Sequence, residues 1–114
     1  MSYKSMRSEL RFNLEKSFTA EYDGKDYDVV IEDFSEHGVG FRSSLDHYPN
    51  LPLGVELDAV FKKENYPTCK LKVVVRHIDV VEKVYPIRIG VQVVGGDLET
   101  WSSIRKVFKA EIGA

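Results

Sequence analysis

Period-two alternation of apolar and polar residues runs through most of the chain, the pattern of strands with one face on a core and the other toward water. Phe18 to Tyr22 and Tyr27 to Phe34 flank Asp23-Gly24, a dipeptide that tolerates the positive φ angles of a tight hairpin turn, and together predict an antiparallel pair. A further strand starts after Gly38 and includes Val39 and Phe41. A loop follows through Asp46, His47, Pro49, Asn50 and Pro52, where proline removes ladder donors. Val55, Leu57, Ala59 and Phe61 then share a face, with Glu56 and Asp58 opposite, before a polar turn from Lys62 to Thr68. The longest strand runs from Cys69 to Asp79, alternating Leu71, Val73 and Val75 with Lys70, Lys72, Val74 and Arg76. A last strand aligns Ile87, Ile89, Val91 and Val93.

At Gly95-Gly96 the period changes. Asp97 is placed to cap a helix in which Leu98, Trp101, Ile104 or Arg105, and Phe108 recur at three-to-four spacing, and these apolar residues predict its buried face. A short antiparallel sheet avoids exposed edges best by closing on itself, and an amphipathic helix can cover an open end. The expectation is mainly β: a six-stranded antiparallel β-barrel over residues 13–96, a C-terminal α-helix over 97–112, and a leading segment 1–12 without strand pattern.

Composition narrows the function classes. The chain of 114 residues is 43% hydrophobic and 30% charged, which suits one ordinary globular domain. Sixteen Lys and Arg against eighteen Asp and Glu give a net charge of -2, so a nucleic-acid polymer held by overall charge is disfavoured and an anionic partner must be met locally. The single cysteine, Cys69, permits no intrachain disulfide. His37, His47, His77 and Cys69 lack metal-ligand spacing, and neither G-x-S-x-G nor H-E-x-x-H occurs, so no metal, cofactor or catalytic role is expected. Without a secretory core or a long apolar run, the expected location is cytoplasmic, with no membrane insertion.

Two motifs stand out. Arg7-Ser8-Glu9-Leu10-Arg11 sets two guanidinium groups four residues apart, and Asp33-Phe34-Ser35-Glu36-His37-Gly38 follows where a strand ends and turns. Read together as R-x-x-x-R and D-x-S-x-x-G, they resemble the signature of the PilZ domain, a bacterial receptor for cyclic di-GMP. Leu53-Gly54, the strand through Val73 to Val75, and Arg88-Ile89-Gly90-Val91 extend the resemblance over nearly the whole chain. It implies the same six-stranded barrel with a C-terminal helix, no enzymatic activity, and ligand contacts at Arg7, Arg11, Asp33, Ser35 and Gly38. Arg76 lies near the place of a further family contact on the long strand. The residue before Arg7 is Met6, where an additional arginine accompanies binding of a stacked ligand pair in the family, so one ligand per domain is favoured.

The chemistry of these residue types agrees. A guanidinium fork can donate to guanine O6 and N7 together, stack on the base, and reach phosphate oxygens. Asp33 can accept from N1-H and the N2 amino group on the opposite edge. Ser35, two residues on along an extended strand, can donate or accept beside it, and Gly38 lets the backbone approach closely. His37, inside the motif, is expected to be exposed or hydrogen-bonded without a role in the site. The resemblance implies a cytoplasmic cyclic di-GMP effector acting on an unidentified downstream protein in motility, biofilm formation or a similar behaviour. The segment with Arg7 and Arg11 is expected to be mobile and to fold onto the barrel with ligand. The competing readings are an adaptor of the same fold that binds no nucleotide, and a small-barrel binder of single-stranded nucleic acid.

Overall fold

The structure, a computed structural model, describes residues 9–44 and 51–114. Six strands and one helix follow one another: β1 (Phe12–Tyr22), β2 (Lys25–Ser35), β3 (Gly38–Ser43), β4 (Glu56–Lys62), β5 (Cys69–Val80), β6 (Ile87–Gly96) and α1 (Leu98–Ile112). All pairings are antiparallel, and the sheet closes in the order β1-β2-β3-β6-β5-β4. Closure leaves no free sheet edge, as the alternation predicted. Asp23 and Gly24 both take positive φ, 55° and 74°, and join β1 to β2 in the anticipated tight turn. Most of the anticipated loop after β3, including His47, lies outside the described residues.

The inward face of every strand feeds one core, with Phe18, Ile31, Phe34, Val39, Phe41, Phe61, Leu71, Val75 and Ile89 all nearly inaccessible to water. Trp101, Ile104 and Phe108 of α1 complete it from one end. Phe108 sits edge-on to Phe18 and Phe34, with ring centroids 5.8 and 5.3 Å apart, the electrostatically favoured arrangement for aromatic pairs.

Two features depart from the sequence reading. β1 begins at Phe12 rather than Phe18, because Phe12 and Leu14 pack against the core while Lys16 spends its place on the same face in an ion pair with Glu111 of the helix. That polar residue interrupts the apolar period. Asp97 precedes α1 but makes no capping hydrogen bond with its side chain. Its backbone N–H is instead tied to the Lys70 carbonyl at 2.8 Å, and its own carbonyl accepts from Trp101 at 3.0 Å. The exit from β6 thus fixes the start of the helix. Gly96 there has φ of 97°, and a Cβ on it would meet the Lys70 carbonyl at 2.5 Å. No helix among the described residues is long and apolar enough to cross a membrane.

Candidate functional site

The site is built on a bulge in β2. Ile31 pairs with Phe41 and Asp33 with Gly40, so two residues of β2 advance against one of β3. Strict alternation from Ile31 would turn Asp33 inward and Phe34 outward. The extra residue reverses this: Phe34 is wholly buried in the core, and Asp33 and Ser35 share the outer face.

Asp33 is nevertheless only 6% exposed, because neighbouring side chains cover it. Its Oδ1 accepts from Arg11 Nη2 at 2.6 Å and its Oδ2 from Arg88 Nη2 at 2.8 Å. Both are short, charge-assisted hydrogen bonds. The carboxylate lies on the bare backbone of Gly40, where a Cβ would come within 2.7 Å of both oxygens. Gly40 pairs with Gly90 across β3 and β6, so the patch beside Asp33 carries no side chains. A Cβ on Gly38 would sit 3.0 Å from Ser35 Oγ and 3.1 Å from Arg11 Nη1, which places all three in contact range.

A second ion cluster supports the first. Arg42, almost fully buried, donates to Glu32 at 2.6 Å and to Glu15 at 3.3 Å. Glu32 also faces Arg88 Nε at 4.0 Å and Lys83 at 3.4 Å. Burial by itself raises the Glu32 carboxyl's pKa, but the Arg42 hydrogen bond and charge, with Lys83, outweigh it and hold the group below the usual carboxylate range.

The turn after β2 is pinned from three sides. Trp101 Nε1 donates to the Glu36 carbonyl at 2.9 Å, and the Val93 N–H donates to the His37 carbonyl at 2.8 Å. Glu9 Oε1 accepts the His37 backbone N–H at 3.1 Å, and Glu9 Oε2 lies 2.6 Å from His37 Nδ1. A rigid turn therefore presents Ser35 and Gly38.

Of the residues anticipated from sequence, Arg11, Asp33, Ser35 and Gly38 come together on one face. Arg7 lies outside the described residues. Arg76 of β5 donates to Gln92 of β6 at 2.9 Å, and Gln92 pairs with Gly38 of β3, so Arg76 stands two strands away from that glycine. Arg11, in the segment expected to fold onto the barrel with ligand, meets the Asp33 carboxylate on the barrel wall. His37 is hydrogen-bonded, as expected, but to Glu9, a residue sequence reading passed over. Arg88, Glu32, Arg42 and Gly40 were also missed. Gly38-x-Gly40 and Arg88-x-Gly90 were the available signals, since glycines two apart in a strand bare one face of the sheet.

Chemically, a rigid carboxylate between two guanidinium groups, beside a glycine-floored patch, can accept paired N–H donors, while the released guanidinium groups donate to acceptors or anions. Among the described residues no three His, Cys, Asp or Glu side chains converge as a metal-ligand set.

A closed six-stranded barrel plugged by one C-terminal helix, with an arginine and an acidic turn meeting on its outer wall, defines a small β-barrel domain of a recognisable kind. The chain belongs to the PilZ domain family, whose sequence model matches residues 5–109. Among solved structures it is similar to the Bacillus subtilis inhibitor of motility MotI/DgrA, with 12% identity and a TM-score of 0.65 over 94% of this chain and 52% of that one. It is also similar to MrkH of K. pneumonia, solved as a complex with c-di-GMP, with 20% identity and a TM-score of 0.71 over 93% of this chain and 52% of that one. The chain thus spans about half the length of each, and at these identities the likeness is one of fold. No curated protein matches the sequence.

Proposed function

We propose that this chain is a receptor for cyclic di-GMP that changes the surface it offers to a partner protein and performs no catalysis. The observation that carries the reading is the 2.6 Å contact between Arg11 of the first motif and Asp33 of the second, on a face floored by Gly38 and Gly40. Membership of the PilZ family and the c-di-GMP complex of the MrkH neighbour support it. A guanine entering the face offers N1-H and its N2 amino group to Asp33, displacing Arg11. Arg11, joined by Arg7, turns to O6, N7 and the phosphates. Ser35 and Gly38 line the approach, and Arg76 borders it. Ligand binding therefore exchanges an internal ion pair for ligand contacts and redirects the leading segment, which is the output a partner reads. The motility inhibitor among the structural neighbours is consistent with an output of that kind.

Calorimetric titration of cyclic di-GMP into wild type, Arg7→Ala, Arg11→Ala and Asp33→Ala tests the proposal. Each substitution is expected to weaken binding by roughly one to two decades, the usual loss for a charge-assisted contact. Absence of heat with wild type at high micromolar ligand, or unchanged binding in all three variants, refutes it.

A further inference from the structure

The start of β1, the turn after β2 and the second half of α1 enclose a groove of about 230 Å³. Arg105 and Lys109 line it from the helix, Glu9 and Ser35 from the opposite wall, with Phe12 between them and Glu36 at the turn. Neither Arg105 nor Lys109 forms an ion pair with a carboxylate among the described residues. Their cationic groups lie over aromatic rings instead, Arg105 5.7 Å from the centre of Trp101 and Lys109 5.0 Å from that of Phe12. Aromatic faces orient such cations without neutralising them.

Two enclosed polar atoms, Arg105 Nε on the helix side and Ser35 Oγ across from it, also have no partner at full hydrogen-bonding geometry among the described residues. Buried polar groups are normally satisfied, so a pair of orphans around one groove points to an occupant. Glu9 is a poor one. Both its oxygens are committed to His37, at 3.1 Å from the backbone N–H and 2.6 Å from Nδ1. Burial raises the Glu9 carboxyl's pKa, but His37 and a weaker contact from the Ser35 hydroxyl, which falls short of full hydrogen-bonding geometry, outweigh it and hold the group below the usual carboxylate range.

We propose that this groove is a phosphate subsite, with Arg105, Lys109 and the Ser35 hydroxyl as donors, and that the Glu9 carboxylate, held by His37 in the groove lining, opposes the phosphate by its charge. The inference rests on the cyclic di-GMP reading and assigns the helix a direct part in it. A phosphodiester carries its charge on two non-bridging oxygens of a tetrahedral centre, which can reach donors that a planar carboxylate held by His37 leaves unused. Ser35 links the two regions, being two residues from Asp33 and next to Gly38 and Arg11 Nη1. A ligand whose base meets Asp33 extends past Gly38 into the groove. Glu9, placed between the two arginines of the first motif, then sets a negative charge in the groove lining that weakens the hold on an anionic ligand.

The test is calorimetry of cyclic di-GMP at fixed ionic strength with wild type, Glu9→Ala, Arg105→Gln and Lys109→Gln, with thermal melts to verify folding. Glu9→Ala is expected to bind severalfold more tightly, and the two helix variants roughly tenfold more weakly. In parallel, inorganic phosphate titrated into Glu9→Ala is expected to shift the Ser35 and His37 amide resonances saturably, and to lose that effect when Lys109→Gln is added. Should Arg105→Gln unfold by losing its stack on Trp101, Lys109→Gln decides alone. Unchanged dinucleotide affinity in folded helix variants, or no saturable phosphate shift, overturns the subsite even if cyclic di-GMP binds. Phosphate shifts without any dinucleotide heat in wild type overturn the receptor reading instead and leave the groove as a site for another phosphate ester.

Discussion

Gly40→Ala probes the geometry of the site without replacing any of its charged groups. The added Cβ falls 2.7 Å from both Asp33 oxygens, and ordinary contact begins at 3.4 Å, so the carboxylate must retreat by about 0.7 Å. Such a retreat stretches the 2.6 and 2.8 Å bonds to Arg11 and Arg88 toward or past the hydrogen-bonding limit. A charge-assisted bond contributes about 1.5–3 kcal/mol when sheltered. Here the arginine side chains are 51% and 44% exposed, so solvent screening reduces each to about 1 kcal/mol. The expected destabilisation is therefore about 2 kcal/mol, less roughly 0.5–1 kcal/mol regained because alanine suits a strand better than glycine.

Urea unfolding followed by Trp101 fluorescence measures this for Gly40→Ala, Asp33→Ala and the double variant. Because the clash exists only while the carboxylate is present, Gly40→Ala in the Asp33→Ala background should cost nothing, a coupling energy near 2 kcal/mol. Equal costs in both backgrounds would refute the reasoning and place the strain in the backbone. If Asp33 is the base acceptor proposed above, cyclic di-GMP affinity should fall in parallel.

Phe108→Ala removes the ring that closes the barrel between Phe18 and Phe34 and should cost about 3–5 kcal/mol in urea unfolding; a loss under 1 kcal/mol would show that the helix is not part of the core. Burial, with the nearby Asp97 charge, pushes the Cys69 thiol up to about 11, so iodoacetamide at pH 8 should leave the native chain unmodified and label it fully in urea. Glu32 titrates below its ordinary value in the folded chain. The stability it contributes is therefore complete above the unfolded-state carboxylate range and is lost as pH falls through the folded value. Glu32→Gln should accordingly flatten the acid limb of the stability–pH curve, and an unchanged limb would assign the effect to other carboxylates.

Local patterning carried most of the architecture. Alternating Leu71, Val73 and Val75, or Ile87, Ile89 and Val91, leaves a strand with one wet face as the only consistent conformation. Asp23-Gly24 sets a hairpin through its own backbone preferences, and the change of period after Gly96 marks the helix whose Trp101, Ile104 and Phe108 are buried. The two motifs were equally visible, because each is short and contiguous. Tertiary structure decided what those motifs do to one another. The bulge at Glu32-Asp33 breaks the alternation and turns Asp33 outward; the three-residue step from Ile31 to Phe34 hints at it, but pairing with β3 fixes it. Arg88 and Gly40 reach Asp33 only through the β2–β3–β6 ladder, and Glu9 reaches His37 only because β1 begins early enough to lie beside the turn. Periodicity along one strand reports which face meets the core, whereas a charged cluster on the outer wall depends on register between strands, which is set by the closed barrel as a whole.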